Sequence, residues 1–276
     1  MRDRFARVVC ETGRVHSVFS NALNILWNDK RLLALHAPGE LRAPFAAIVG
    51  RVPHQICPGT PVRRAGGSLR VGGVELAADD PVVVETRMPP GDLCTAPWLE
   101  RMPAQGMAPS LSLPEAREAQ RVLAAGIRRR DGGLFVSGAS KLIGLGEGLT
   151  PAGDDCLVGV LAVLFRFAPA WISHSEVAVR LAGQAENGTT MVGREFLLHA
   201  LQGSFSEPVL RLLTAASRPE EHAARAALLA FGATSGADTF AGTALALEAL
   251  RSSSPGTSSG FGHQRDPRLV TGAEET

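Results

Sequence analysis

A glycine-rich segment that leads directly into two adjacent carboxylates is the part of this sequence best suited to chemistry. Residues 144–155 are Gly-Leu-Gly-Glu-Gly-Leu-Thr-Pro-Ala-Gly-Asp-Asp, and an apolar stretch follows at once. Glycine lets the backbone adopt positive φ and approach another group closely, while Thr, Pro and Asp are typical of a helix start. Because two carboxylates exceed what a helix cap needs, we expect a ligand at this segment.

Two interpretations of the carboxylate pair stay open. In the first, Asp154 caps the helix and Asp155 faces an amide or ammonium group of the ligand. In the second, Asp154 and Asp155 together hold a hard cation such as Mg²⁺, which then carries a phosphate. Backbone N–H groups at a helix N-terminus favour an anion in either case, and a plain capped turn is the remaining alternative. The residues of this segment that we assign to substrate binding are Gly146, Gly148, Thr150 and Gly153.

The segment matches none of the common catalytic or phosphate-binding motifs. It contains no G-x-x-x-x-G-K-[ST] sequence, and the Gly144-x-Gly146 pair lacks the third glycine of a dinucleotide site. The chain shows no Ser/His/Asp or Cys/His arrangement and no ligand spacing typical of a metal-dependent hydrolase. Metal-dependent hydrolysis is therefore the function that the sequence favours least.

A second segment repeats part of the first. Residues 234–238, Thr-Ser-Gly-Ala-Asp, resemble residues 150–154, Thr-Pro-Ala-Gly-Asp, and each precedes an apolar helix with a glycine soon after its start, Gly159 or Gly242. Two helices that start alike can direct their N-termini at one point, although coincidence is an equally open interpretation. On this basis we assign Thr234, Ser235 and Asp238 to substrate binding, with an ordinary capped helix as the alternative.

Four further side chains are candidates for substrate contact: His16, Ser17, Lys141 and Arg194. Lys141 precedes the glycine-rich segment and is one of only two lysines in the chain. Arg194 is expected one turn into a helix, where a guanidinium can bind phosphate or carboxylate. A surface arginine and an ordinary strand histidine are the commoner alternatives for Arg194 and His16.

Composition narrows the class of protein. The chain has 276 residues, of which 45% are hydrophobic, and a formal net charge of +1, so it offers no electrostatic attraction for nucleic acid or a membrane surface. The four cysteines form no C-x-x-C pair, the first residues lack the apolar run of a signal peptide, and the apolar stretch 156–165 is too short to span a bilayer. We therefore expect a cytoplasmic protein without nucleic-acid or membrane partners.

The first part of the chain, residues 1–88, carries strand signals. Residues 14–19 alternate in polarity, and two hairpins are predicted: residues 24–36 with a polar turn, and residues 68–76 with a Gly-Gly turn. Shorter apolar runs at 45–49 and 81–85 complete the series. The pattern predicts a small antiparallel β-barrel or sandwich, followed by a packed connecting strap over residues 89–113.

Residues 114–251 have helical periodicity, so the complete fold is predicted to be α+β. Residues 134–136 are interpreted as a short strand or a buried turn, and the tail 252–276 as disordered because it is polar and rich in Ser, Gly and Pro. The predicted helices span 114–130, 154–167, 174–187, 190–202, 206–216, 219–231 and 237–251.

Three of these segments together resemble a known bacterial family, DUF2877. Residues 15–24 are similar to its opening, residues 144–159 to its central Gly-Leu-Gly-x-Gly-Leu-Thr-Pro-Ser-Gly-Asp-Asp signature, and residues 232–242 to its third block. The resemblance covers roughly residues 12–250. Glu147 and Ala152 depart from the usual Pro and Ser of the signature, and Ala152 removes a hydroxyl from the loop.

The resemblance implies a function. The family includes a subunit linked to oxamate carbamoyltransferase, an enzyme of anaerobic allantoin breakdown that exchanges a carbamoyl group between oxalurate and phosphate. The resemblance therefore implies companion transferase subunits and a small anionic substrate such as carbamoyl phosphate, oxamate or a related carboxylate. Asp154 and Asp155 are then the candidate catalytic residues, and Mg²⁺ is the candidate metal. The rival hypothesis is a non-catalytic subunit that binds a small carboxylate or serves as a scaffold.

Overall fold

The N-terminal part of the chain forms a single curled sheet. The computed structural model of the protein describes residues 11–40, 42–53, 55–65, 68–77, 84–93, 109–172 and 176–253. Its strands are β1 (Thr12–Val18), β2 (Ala22–Trp27), β3 (Leu32–His36), β4 (Ala46–Ile48), β5 (Pro61–Ala65), β6 (Ser68–Val71) and β7 (Val74–Ala77). They form a half-barrel in the order β4-β3-β2-β1-β5-β6-β7.

Strand pairing confirms both predicted hairpins. β2 and β3 pair antiparallel around the turn at Lys30, and β6 and β7 pair antiparallel around Gly72 and Gly73. Alternate residues of β2, such as Leu23 and Ile25, are fully buried in the sheet's own core. The short β4 pairs with β3 in the parallel direction, which the expectation of an antiparallel sheet did not include. Of the predicted last strand, residues 81–83 lie outside the described residues, and residues 84–85 are not in a strand.

The second part of the chain is helical, which confirms the predicted α+β class. A 3-10 turn (Pro109–Ser112) precedes the helices. These are α1 (Pro114–Arg129), α2 (Gly132–Leu142), α3 (Ala152–Phe167), α4 (Pro169–Ile172), α5 (Glu176–Gly188), α6 (Met191–Leu201), α7 (Glu207–Thr214), α8 (Arg218–Leu229) and α9 (Ser235–Arg251). Residues 94–108 of the predicted strap and 254–276 of the predicted tail lie outside the described residues, and the domain boundaries stay a prediction.

Helix α2 corrects the interpretation of residues 134–136 as a strand or turn. The Asp131 side chain accepts a hydrogen bond from the Leu134 amide at 3.0 Å, which caps the start of the helix. Phe135, Ala139 and Leu142 are then buried together on one helix face. The short apolar run was misinterpreted because so few residues cannot distinguish a buried helix from a strand.

Helices α3 and α9 form the centre of the helical core. A methyl group placed on Gly159 would lie 2.0 Å from the carbonyl oxygen of Thr239, and one placed on Gly242 would lie 1.9 Å from that of Cys156. The two backbones can therefore approach this closely only because both positions are glycine. Almost every face of α3 is buried, as its apolar sequence predicts.

The sheet packs against helix α6. Phe45 meets Phe196 edge to face, with 4.8 Å between ring centroids, and Val192 packs into the same apolar cluster with Leu32 of β3. The N-terminal part of α6 also borders the glycine-rich segment, so this helix connects the sheet to the candidate site. In the described part of the chain, no helix is long and apolar enough to cross a membrane.

Candidate functional site

The glycine-rich loop, residues 143–151, depends on backbone conformations that favour glycine. Gly144, Gly146 and Gly148 have φ values of 74°, 114° and 92°, and the loop leads back into α3 through a hydrogen bond from the Gly153 amide to the Leu145 carbonyl at 2.8 Å. A side chain at Gly153 would lie 1.9 Å from the Leu142 carbonyl oxygen. Three of the four glycines are thus required by φ and the fourth by space.

Asp154 holds the loop in place. Its Oδ1 accepts a hydrogen bond from the Gly144 amide at 2.8 Å, and its Oδ2 accepts one from the Thr189 hydroxyl. Burial raises the pKa of Asp154 to about 6, although both hydrogen bonds act in the opposite direction. Asp154 does not cap α3, whose N-cap residue is Pro151 and makes no side-chain hydrogen bond. This carboxylate therefore connects the two ends of the loop to the turn before α6.

Asp155 is the carboxylate beside the second loop, which joins α8 to α9. It is 6% exposed and is hydrogen-bonded to the hydroxyls of Ser235 and Thr150. Burial raises the pKa of Asp155 well above its usual value, and the negative charges of Asp238 and Asp154 raise it further. Among the described residues, its Oδ2 has no hydrogen-bond partner. A buried polar atom without a partner costs free energy, so Oδ2 is a natural ligand contact.

The two similar segments converge, which the sequence left open. The hydroxyls of Thr150 and Ser235 lie 2.8 Å apart, so the starts of α3 and α9 are adjacent. Thr234 is the N-cap residue of α9 but makes no side-chain capping bond, and the Ser235 hydroxyl is directed to the first loop. Asp238 is fully buried at the same junction, where its charge acts on Asp155. The alternative of an ordinary capped helix does not explain these contacts.

The turn before α6, residues 188–190, contacts the glycine-rich loop. Thr190 does cap α6, since its hydroxyl accepts the Gly193 amide at 3.0 Å. The same hydroxyl donates to the Leu149 carbonyl, and Thr189 donates to Asp154. The adjacent threonines after Gly188 were the available signal, but the sequence cannot show which loop they contact.

The exposed part of the loop offers backbone donors. Glu147, Gly148 and Leu149 are exposed, while Asp154 and Asp155 are buried behind them. Within the described part of the chain, the amide groups of residues 146–150 donate no backbone hydrogen bond. Unused amides beside a helix N-terminus favour an anion. An apolar cavity lined by Phe135, Leu157, Leu197 and other hydrophobic side chains lies in the helical core and presents no polar group to such a ligand.

Arg194 and Lys141 occupy different environments. Arg194 is 7% exposed, donates to the Lys30 carbonyl, and pairs with Glu195 at 3.1 Å and with Glu186 at 3.6 Å. It is therefore not a surface arginine, because its guanidinium is buried and connects α6 to the β2–β3 turn. Lys141 is exposed in the last turn of α2.

His16 and Ser17 lie on the sheet at an irregularity of β1. The pairing of β1 with β2 shifts register between Val15 and Ser17, as in a β-bulge. The Ser17 hydroxyl accepts a hydrogen bond from the buried Asn24 amide at 2.9 Å and lies 3.3 Å from Nδ1 of His16. Asn24 is the member of this group that sequence reasoning missed, because only strand pairing brings it beside Ser17.

The donor set at the two loops does not resemble a preformed metal centre. In the described part of the chain, no group of three or more His, Cys, Asp or Glu side chains is placed to hold a metal ion. Both oxygens of Asp154 already accept hydrogen bonds from Gly144 and Thr189. Asp154 would therefore offer a cation shared with Asp155 only the lone pairs that these two bonds leave.

Comparison with known proteins identifies related sequences over both parts of the chain. A family model described as oxamate carbamoyltransferase subunit AllH matches residues 142–247, and a second, described as the AllH family N-terminal domain, matches residues 2–84. Together the two matches cover more than half of the chain, and the first contains both loops. No solved structure matches the chain.

Proposed function

The chain belongs to the AllH family, and we propose that it is a subunit of an oxamate carbamoyltransferase-like enzyme that binds a small anionic substrate at the glycine-rich loop. The observation that carries the site assignment is the pairing of open backbone amides with the buried, partnerless Oδ2 of Asp155. The amides favour an anionic group, and Asp155 favours an N–H or carbonyl group beside it.

The proposed reaction divides the work between these groups. A phosphate oxygen attacks the carbamoyl carbon of oxalurate, the C–N bond to the oxamate nitrogen breaks, and that nitrogen takes up a proton. The amides of residues 146–150 hold the anion and stabilise charge that develops on the carbonyl oxygen. Asp155, whose pKa burial raises, supplies the proton to the leaving nitrogen.

The remaining candidate residues receive supporting roles in this proposal. Asp154 positions the loop through Gly144 and Thr189, and Thr150 and Ser235 orient the Asp155 carboxyl. Lys141, exposed next to the loop, provides long-range attraction for an anion. Substrate contact stays a prediction for Arg194, which lies between α6 and the β2–β3 turn, and for the His16–Ser17 pair.

Calorimetric titration of the full chain, with and without companion subunits, tests the proposal. The probes are phosphate, carbamoyl phosphate, oxamate and oxalurate, each with and without Mg²⁺. We expect Asp155→Ala to weaken oxamate binding at least about tenfold, because a buried hydrogen-bonding group is lost. Glu248→Gln, an exposed acid on α9, is the matched control and should bind like the unmodified chain.

The assembled subunits should also convert oxalurate and phosphate to oxamate and carbamoyl phosphate. Loss of this turnover in Asp155→Ala, with folding retained, would support the assigned role. Unchanged turnover would remove Asp155 from the mechanism. The metal hypothesis would be supported instead if the unmodified protein bound its ligand only with Mg²⁺ present, and Mg²⁺ had no effect on binding in Asp155→Ala.

A non-catalytic binding subunit is the second candidate. It is favoured by the absence of histidine and lysine from residues 144–155 and 232–238, and by Cys156, whose pKa burial raises to about 12. Such a subunit would bind oxamate normally, yet Asp155→Ala would leave the turnover of the assembled enzyme unchanged.

A further inference from the structure

The helical part of the chain contains two similar units of three helices each, α1–α3 and α7–α9. The middle helix of each unit starts with the same cap: Asp131 accepts the Leu134 amide at 3.0 Å, and Ser217 accepts the Glu220 amide at 3.4 Å. The two capping residues are 86 positions apart in the sequence, and so are the two residues whose amides they accept. The same kind of cap at the same spacing indicates equivalent positions.

The turns that follow the two middle helices are also equivalent. The Leu145 amide donates to the Leu142 carbonyl at 2.9 Å, and the Phe231 amide donates to the Leu228 carbonyl at the same distance. Each turn then continues with a glycine of positive φ, Gly146 at 114° or Gly232 at 68°. These six residues keep the separation of 86 positions.

The third helices begin in the same way. The amide of Gly236 donates to the Phe231 carbonyl at 2.9 Å, as the amide of Gly153 does to that of Leu145 at 2.8 Å. A side chain at Gly236 would lie 1.8 Å from the carbonyl oxygen of the preceding helix, as one at Gly153 would at 1.9 Å. Gly153 and Gly236 are 83 positions apart, so the first loop is three residues longer than the second.

Contacts between the two units are reciprocal. Gly159 faces the Thr239 carbonyl, and Gly242 faces the Cys156 carbonyl. The two glycines are 83 positions apart in the sequence, and so are the two residues that carry the carbonyls. In addition, α3 packs against α7 while α9 packs against α1. Mutual contacts of this kind are the signature of a two-fold relation between two similar units. The equivalent of Asp155 in this register is Asp238, whereas the equivalent of Asp154 is Ala237.

We propose that Asp155 and Asp238 form one acid pair across this local two-fold, and that the pair determines specificity by binding the N–H and C=O groups of a carboxamide. This inference rests on the proposed substrate site and adds the second unit to it. Both carboxyls are buried where α3 and α9 begin, and the partnerless Oδ2 of Asp155 provides a contact for the ligand.

Electrostatics explains why such a pair suits a carboxamide. The charge of Asp238 adds to burial in raising the pKa of Asp155, so a single negative charge on the pair is favoured over two. The neutral acid then donates to the ligand carbonyl while the ionised acid accepts from its N–H groups. A ligand with a carboxylate in place of the amide would bring a second negative charge next to the ionised acid, and this repulsion disfavours its binding.

Oxamate and oxalate provide the test, because they differ only in an amide group replaced by a carboxylate. Calorimetry on the full chain assembled with its companion subunits would measure both affinities for the unmodified protein, Asp155→Asn, Asp238→Asn and the double variant. Glu248→Gln is the control, and thermal melting verifies that each variant is folded. We expect the unmodified protein to bind oxamate at least about tenfold more tightly than oxalate.

The variants distinguish a shared pair from a single acid. Each single substitution should weaken oxamate binding by less than about tenfold, because the remaining acid takes the charge, whereas the double variant should lose about a hundredfold or more. Binding in Asp238→Asn equal to that of the unmodified protein, with Asp155→Asn as weak as the double variant, would overturn the pair. If the Asn variants do not fold, equal or tighter binding of oxalate to the unmodified protein would still overturn it.

The proposed function fails separately, through a different result. It would fail if the assembled subunits did not transfer a carbamoyl group between oxalurate and phosphate while oxamate still bound with the expected dependence on Asp155 and Asp238. In that case the acid pair would stand as the determinant of a carboxamide site with another role.

Discussion

The two loops that meet at the candidate site share a framework but differ in what they add to it. Both start α3 or α9 from a glycine packed on the preceding helix, and both helices carry a second glycine at their contact. The first loop adds three residues, two more glycines of positive φ at positions 144 and 148, and a second carboxylate at Asp154. The second loop has Ala237 in the place of that carboxylate.

This difference separates structure from function within one motif. Features present in both units, such as Gly153 and Gly236, are explained by helix packing and need no ligand. Asp154, which has no counterpart in the second loop, is explained by its contact with Thr189 on the neighbouring turn, where Thr190 also contacts the Leu149 carbonyl. Only the acid common to both units, at Asp155 and Asp238, is both equivalent and buried at their junction.

The strongest test of the shared framework is a methyl group at the helix contact. We expect Gly159→Ala and Gly242→Ala each to lower the free energy of unfolding by about 3–5 kcal/mol, because the added carbon would lie about 2 Å from a backbone oxygen. Urea denaturation would measure both values. Gly183→Ala on α5 is the control, since nothing lies within 4 Å there, and it should be neutral or slightly stabilising. A large effect at one position and none at the other would contradict the two-fold relation.

Asp154 provides the largest expected difference between the loops. Asp154→Ala places in the first loop the residue type that the second loop has naturally, and leaves the Gly144 amide and the Thr189 hydroxyl without their acceptor. We expect a loss of about 3 kcal/mol in the free energy of unfolding at pH 5. Asp154→Asn should cost less, because an amide can still pair with both groups. Equal costs for the two variants would argue against the observed bonds.

The same carboxyl predicts a pH dependence of stability. Burial raises the folded pKa of Asp154 from its usual 3.8 to about 6, so the folded state binds the proton more tightly than the unfolded state does. The stabilising contribution is therefore complete below the unfolded pKa and is lost as the pH rises through about 6. Between pH 4 and pH 7, the unfolding free energy of the unmodified protein relative to Asp154→Asn should fall by up to about 3 kcal/mol. A constant difference across this range would contradict the raised pKa.

The smallest effect is expected at the exposed part of the first loop. Gly148 has a φ of 92° with open space around it, so Gly148→Ala should cost about 1 kcal/mol through backbone strain alone. Thermal melting would measure the change in stability, and calorimetry would measure the affinity for oxamate. Gly73→Ala on the β6–β7 turn, where φ is not positive and space is also open, is the control. Unchanged stability in Gly148→Ala would contradict the positive φ of this loop position.

Much of the local structure followed from the sequence. All seven predicted helices are present with ends within two residues, because their apolar periodicity and caps are local signals. Both β-hairpins followed from turn residues of specific conformational preference. Helix α2 did not, since its short apolar run of 134–136 fits a strand equally well until the Asp131 cap and the buried face are seen.

The residues of the candidate site were identified by type and spacing, but their partners were not. Paired carboxylates after a glycine-rich turn indicated a ligand site, and the family resemblance was confirmed. The sequence aligned Thr150 with Thr234 and therefore Asp154 with Asp238, whereas backbone contacts make Asp155 the equivalent of Asp238. A three-residue difference in loop length shifts the register, and pattern similarity over five residues cannot detect it.

The sequence by itself determined the fold class, the family, the positions of seven helices and both hairpins, and the segment in which the carboxylates lie. Only the tertiary structure decided that the two similar loops converge, that Asp154 is bound to the turn before α6, and that Arg194 is buried against the Lys30 carbonyl. The physical reason is the range of the interactions. Periodicity, caps and turns act between residues a few positions apart, whereas these three contacts join residues 35 to 164 positions apart.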